Sequence, residues 1–239
     1  MSSPAPAESP GRHRAVVFDM DGVLVESEHL WERMWAAFAA ARGRTWTGEQ
    51  TRQVQGMSSP EWSAFLARFS AAGESAAETE RLVVDDMIAA LDAGEIGLLP
   101  GARRMVTEVA ERAPVALASS APRRLIDAVL DRHALSEHFA ATVSSAEVPR
   151  GKPSPDVYLE AARKLGAQPR HCVAVEDSSN GLRAAAEAGM TVVAIPNPGY
   201  PPAEDALAGA AFVAGDLDEV RDRLVRWLAE PAQPTRAVG

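Results

Sequence analysis

Two aspartates one residue apart, Asp19 and Asp21, follow the apolar run Ala15-Val16-Val17-Phe18 and precede Gly22. Side chains at i and i+2 leave a strand on the same side, so these carboxylates can converge on one point. Like charges held that close repel, and a bound cation or a shared proton relieves them. The pair therefore points to a metal site whose carboxylates could also attack an electrophile or move protons. A strand ending in an Asp-Gly turn is the plainer reading of the same residues.

Three more polar clusters follow. Ser119 and Ser120 come after the apolar run at 115–118, and Arg150-Gly151-Lys152-Pro153 precedes a helix start at Ser154-Pro155-Asp156. Glu176-Asp177-Ser178-Ser179 closes the run at 172–175. Together they offer carboxylates for a hard cation, hydroxyls and a helix start for phosphate oxygens, and one ammonium group. Those are the parts of a phosphoryl-transfer site.

The elements that must position them alternate. Short, near-continuously apolar runs at 15–18, 115–118, 141–143, 172–175, 192–195 and 211–213 read as strands buried on both faces. Helical periodicity at 102–112, 123–132, 157–165 and 182–188 separates them, with Ser154 as a cap for the third and Gly166 and Gly189 as stops. The expectation is an α/β fold, a Rossmann-like parallel sheet with helices on both faces, whose polar clusters share the carboxyl edge.

Residues 28–98 break the alternation. They show no convincing strand and read as helices at 28–41, 48–54, 60–69 and 76–92, with four of the five tryptophans. The expected organisation is a disordered tail at 1–13, a catalytic core at 14–27 and 99–228, an inserted helical cap at 28–98, and a flexible tail at 229–239. Such an insertion sits over the ligand-binding edge of the sheet.

With 239 residues, 46% of them apolar and 24% charged, the chain has the composition of a soluble globular protein. No apolar stretch reaches the about 18 residues of a membrane span, so no membrane partner is expected. A net charge of −9 argues against nucleic acid. One cysteine, Cys172, rules out an internal disulfide framework and fits a cytoplasmic setting. A small phosphorylated metabolite is the expected partner, and a monomer the expected state.

Four ordered motifs carry a resemblance: Asp-Met-Asp-Gly-Val-Leu-Val at 19–25, Ala-Ser-Ser at 118–120, Gly-Lys-Pro-Ser-Pro at 151–155 and Val-Glu-Asp-Ser at 175–178. In this order the chain, from about residue 14 to 228, resembles the haloacid dehalogenase superfamily. The similarity is greatest to the branch with a helical cap between the first and second motifs. That resemblance implies Mg²⁺-dependent hydrolysis of a phosphomonoester, with Asp19 as nucleophile forming an aspartyl-phosphate. Asp21 would protonate the leaving alcohol and then activate water, its backbone carbonyl also binding the metal. Asp19, Asp21, Glu176 and Asp177 would hold Mg²⁺, and Lys152 would neutralise Asp19 and the phosphoryl oxygens. Ser119, with the backbone N–H groups of Met20, Asp21 and Ser120, would cradle the phosphate.

Within that branch, the beta-phosphoglucomutase type has a histidine where this chain has Trp31. It also has an arginine near Gly56 and a lysine at Pro122. Losing all three favours a phosphatase of the hexose- or hexitol-phosphate type over the alternative, a phosphosugar mutase. Glu28, Trp31 and Trp62 are the candidate substrate contacts from the cap.

Overall fold

The computed structural model describes residues 14–71 and 73–230. Six parallel strands form one sheet: β1 (Ala15–Phe18), β4 (Val115–Ser119), β5 (Ala141–Ser144), β6 (Cys172–Glu176), β7 (Thr191–Ala194) and β8 (Phe212–Val213). Their order is β5-β4-β1-β6-β7-β8. The chain thus leaves β1 toward one edge and later returns to its other side, the topology that opens a crevice beyond the strands' carboxyl ends.

Helices cover both faces: α5 (Ala102–Ala110), α6 (Arg123–Arg132), α7 (Asp156–Lys164), α8 (Ser179–Glu187), α9 (Glu204–Leu207) and α10 (Leu217–Ala229). Alternation along β1 sorts the core. Val16 and Phe18 join a large cluster with Leu117, Val175 and the helices α5, α6 and α10, whereas Ala15 and Val17 join a smaller, alanine-rich cluster under α7 and α8.

Between β1 and β4 lie α1 (Glu28–Ala40), α2 (Gly48–Val54), α3 (Ser59–Ser70) and α4 (Ala76–Asp92). Capping boxes start α2 and α4, where Thr47 pairs with Gln50 and Ser75 with Glu78. Trp31, Trp35 and Trp62 pack with ring centres 5.6–6.0 Å apart, giving these helices an aromatic core continuous with the large cluster.

The segment leaves and rejoins the sheet domain through an antiparallel ribbon, β2 (Val25–Glu26) and β3 (Gly97–Leu98), which pairs Val25 with Leu98 and Glu26 with Gly97. Two-residue strands carry no periodicity, so this ribbon corrects the expectation of a strand-free stretch to residue 98. A second correction concerns Ser154. Pro155 occupies the cap position of α7, and the Ser154 hydroxyl donates to Asp156 at 2.8 Å instead of capping a backbone N–H. The expected tails at 1–13 and 231–239 lie outside the described residues. Ala229, placed in a tail by sequence, is the last residue of α10.

Candidate active site

The strand register assembles the site. Phe18 pairs with Leu117 on one side and Val175 on the other, so Asp19 emerges level with Ala118 and Glu176. The Asp19 N–H bonds the Val175 carbonyl at 3.0 Å and fixes the strand to its last residue. Beyond it, Gly22 turns with φ +75°, and a Cβ there would run into the Asp177 carboxylate. Only glycine allows both the turn and that close approach. Gly181 performs the same service in the first turn of α8, where any side chain would collide with Glu176.

Lys152 is the hub. Its buried ammonium donates to Asp19 Oδ1 at 2.8 Å, Glu176 Oε1 at 2.6 Å and the Ala118 carbonyl at 3.1 Å, using all three of its protons. Burial alone would lower its pKa, but Asp19 and Glu176 outweigh that and raise it. Glu176 is itself fully committed. Oε1 also accepts from the Tyr158 hydroxyl at 2.9 Å, and Oε2 accepts from the Asp177 and Ser178 N–H groups and the Ser178 hydroxyl.

Asp21 is gripped from the helical side. The Ser27 hydroxyl and the Trp31 indole N–H, the latter at 3.1 Å, both donate to its Oδ1. An indole N–H only donates, so Oδ1 stays an acceptor and Oδ2 is the oxygen available to exchange a proton. Burial raises the Asp21 pKa, and these two hydrogen bonds restrain the rise.

Negative charge exceeds positive charge here. Burial pushes Asp19 up to about 8 against the pull of Lys152, with Glu176 and Asp21 adding to the rise. Burial and Glu176 hold Asp177 well above the ordinary carboxylate range. Glu28 also reaches about 8, through burial and then Asp21 and Asp19. Carboxylate oxygens of Asp19, Glu176 and Asp177 lie within 4.8 Å of one another, and the buried Oδ1 of Asp177 has no hydrogen-bond partner. A hard divalent cation fits this donor set on both counts, charge and unsatisfied oxygen.

Asp19, Asp21, Glu28, Ser120, Lys152 and Asp177 line one cleft, with Trp31, Trp35 and Trp62 on its helical side. Ser119 does not reach it. That hydroxyl is fully buried and accepts the Ala121 N–H at 3.0 Å, closing the turn after β4. Ser120 does reach it, donating to the Gly56 carbonyl at 3.1 Å. Sequence reasoning passed over Ser27 and Tyr158. The signal for Tyr158 was present, since a tyrosine at an apolar helix position needs a partner for its hydroxyl.

A family model described as haloacid dehalogenase-like hydrolase matches residues 13–189. The chain belongs to this family. Hexitol phosphatase B of Escherichia coli K12 is 35% identical over 80% of this chain and 86% of that protein. The bifunctional riboflavin kinase/FMN phosphatase of Arabidopsis thaliana is 30% identical over 91% of this chain and 56% of that protein, so the chain spans little more than half that relative's length. Among solved structures, CbbY of Rhodobacter sphaeroides in complex with phosphate superposes with a TM-score of 0.77 at 30% identity, covering 87% of this chain and 96% of that one. A mutant of the same protein, also at TM-score 0.77 and 29% identical, was solved with xylulose-(1,5)bisphosphate; it too covers 87% of this chain and 96% of that one. Among the described residues, no helix is long and apolar enough to cross a membrane.

Proposed function

We propose that this hydrolase is a Mg²⁺-dependent phosphatase that cleaves a small sugar or polyol phosphate through an aspartyl-phosphate. The observation that carries the reading is the buried Lys152 ammonium bonded to Asp19, with Asp21 two residues along in the same cleft. A carboxylate attacks a phosphate dianion only where the charge is neutralised, and Lys152 supplies part of that. Mg²⁺, held by Asp19, Asp177 and the Asp21 backbone carbonyl, would supply the rest by polarising the phosphoryl oxygens. Glu176, whose oxygens are already engaged, orients Lys152 and closes the acidic group without serving as the principal direct ligand.

The Asp19 carboxylate attacks phosphorus as the bond to the alkyl oxygen breaks, and protonated Asp21 gives its Oδ2 proton to the leaving alkoxide. Asp21, now ionised, takes a proton from water. That water attacks phosphorus, and the Asp19–phosphorus bond breaks to release phosphate. Backbone N–H groups of Met20, Asp21 and Ser120 cradle the phosphoryl oxygens. The helices α1–α4 act as the cap. A monomeric enzyme is part of this reading, and one cysteine fits a cytoplasmic setting.

Phosphate release from glucitol 6-phosphate should require Mg²⁺ and stop with EDTA. Beta-glucose 1-phosphate distinguishes the mutase. Conversion to glucose 6-phosphate with little free phosphate would overturn the phosphatase reading.

A further inference from the structure

The cleft has two walls of opposite character. Phosphoryl chemistry sits on the strand-end wall. The facing wall, built by α1 to α3, presents Trp31, Trp35, Met57 and Trp62, and Glu28 is its one ionisable group among the described residues. Among the described residues lining the cleft, Lys152 is the one cation, and Asp19 and Glu176 already hold it. Arg52, three residues before Gln55, is exposed and lies outside the cleft.

A phosphate bound at Asp19 must project its alcohol portion toward the helical wall, because the strand ends close the other side. An anion brought out of water needs a cation or a set of donors, and among the described residues the helical wall offers no cation. An uncharged polyol meets no such conflict. Its C–H faces lie against indole rings, and its hydroxyls exchange hydrogen bonds with the Glu28 carboxyl group.

We propose that the cleft selects phosphomonoesters whose alcohol portion carries no second anionic group, with Glu28 and the indole wall as the selecting elements. The proposal rests on the phosphatase reading above and narrows it. It also sets this chain apart from CbbY, the structurally similar protein solved with xylulose-(1,5)bisphosphate. A second phosphate, or the carboxylate of 2-phosphoglycolate, would enter against Glu28 with nothing to pair it.

The test compares kcat/KM for glucitol 6-phosphate, glucitol 1,6-bisphosphate and 2-phosphoglycolate, with p-nitrophenyl phosphate as control. The monophosphate should exceed both anionic substrates by about 100-fold or more, the scale set by taking an anion out of water with no partner. Glu28→Gln puts an amide donor on the helical wall and Met57→Arg adds a cation to it. Each should narrow the monophosphate-to-bisphosphate ratio by about tenfold. The ratio is taken within each variant, so a partial loss of folded enzyme cancels. Comparable kcat/KM for the bisphosphate in the wild type overturns the proposal, and so does a ratio unmoved in both variants. Failure to hydrolyse any ester, the control included, removes the phosphatase reading and the proposal with it.

Discussion

The strand-end wall and the helical wall of the cleft are built on different principles. At the strand ends, a buried hydrogen-bond network ties Lys152, Asp19 and Glu176 together. Lys152 spends three donors, Glu176 accepts at both oxygens, and Gly22 and Gly181 exist to let carboxylates approach. The helical wall is indole packed on indole, and hydrogen bonds from Trp31 and Ser27 to Asp21 and from Ser120 to the Gly56 carbonyl join it to the strand ends. A network of that kind fixes atoms to fractions of an ångström, as bond-making requires. An apolar wall tolerates variety and discriminates by shape and charge. On the proposed reading, chemistry and selectivity are carried by separate parts of the chain.

Substitutions should separate accordingly. Asp19→Asn should abolish Mg²⁺-dependent hydrolysis of both glucitol 6-phosphate and p-nitrophenyl phosphate, a loss of at least about 10³-fold. Unchanged turnover of either ester would take the nucleophile role from Asp19. Lys152→Met leaves Asp19 and Glu176 facing each other without a cation. We expect turnover to fall about 10²–10³-fold and stability to drop by about 3–5 kcal/mol, read from assay and urea midpoint.

Trp31→Phe keeps the packing and deletes one donor to Asp21. It should lower kcat/KM about tenfold for an alkyl phosphate, whose leaving group needs the proton. For p-nitrophenyl phosphate, which departs readily unprotonated, the loss should be much smaller. Equal losses on both esters would reduce Trp31 to a packing residue and weaken the contrast between the walls. Tyr158→Phe, one layer behind Lys152, should cost about 1 kcal/mol of stability and a few-fold in turnover, because Glu176 keeps its other donors.

Acidity offers a further handle on both walls. Asp19 and Glu28 both bind protons more tightly folded than unfolded, with values near 8 against 3.8 and 4.5. The folded state therefore holds more protons than the unfolded one between about pH 4 and 8, and stability falls as pH rises through that window. Saturating Mg²⁺ should flatten the fall, because a cation replaces the protons. Melting temperatures from pH 5 to 8, with Mg²⁺ and with EDTA, measure this directly. Parallel curves would mean that no divalent ion occupies the acidic group.

Much of this was legible in the chain. Apolar runs ending in Asp19, Ser119 and Glu176 announced parallel strands, because strands buried on both faces leave their polar residues at the ends. The four helices from Glu28 onward stood out because that stretch holds no convincing strand. What remained hidden was orientation. Whether Ser119 or Ser120 lines the cleft turns on one residue of strand alternation, and it is Ser120 that lines it while the Ser119 hydroxyl accepts the Ala121 N–H. The engagement of Glu176 by Tyr158 joins residues 18 apart in sequence, a pairing that only the packing of α7 against the sheet brings about. The β2–β3 ribbon is too short to have a pattern at all.

That ribbon makes the molecule modular. Its paired positions bring the two ends of the helical segment side by side, about 5 Å apart at their α-carbons. A two-residue turn spans such a gap, so the segment can be excised or exchanged without displacing any strand of the parallel sheet. A graft would need an apolar underside to cover Met20, Val23 and Leu24, which belong to the core shared with α1 and α3. Substrate preference would travel with the tryptophans of the transplanted piece, while Asp19, Lys152 and Asp177 stayed behind as a common engine.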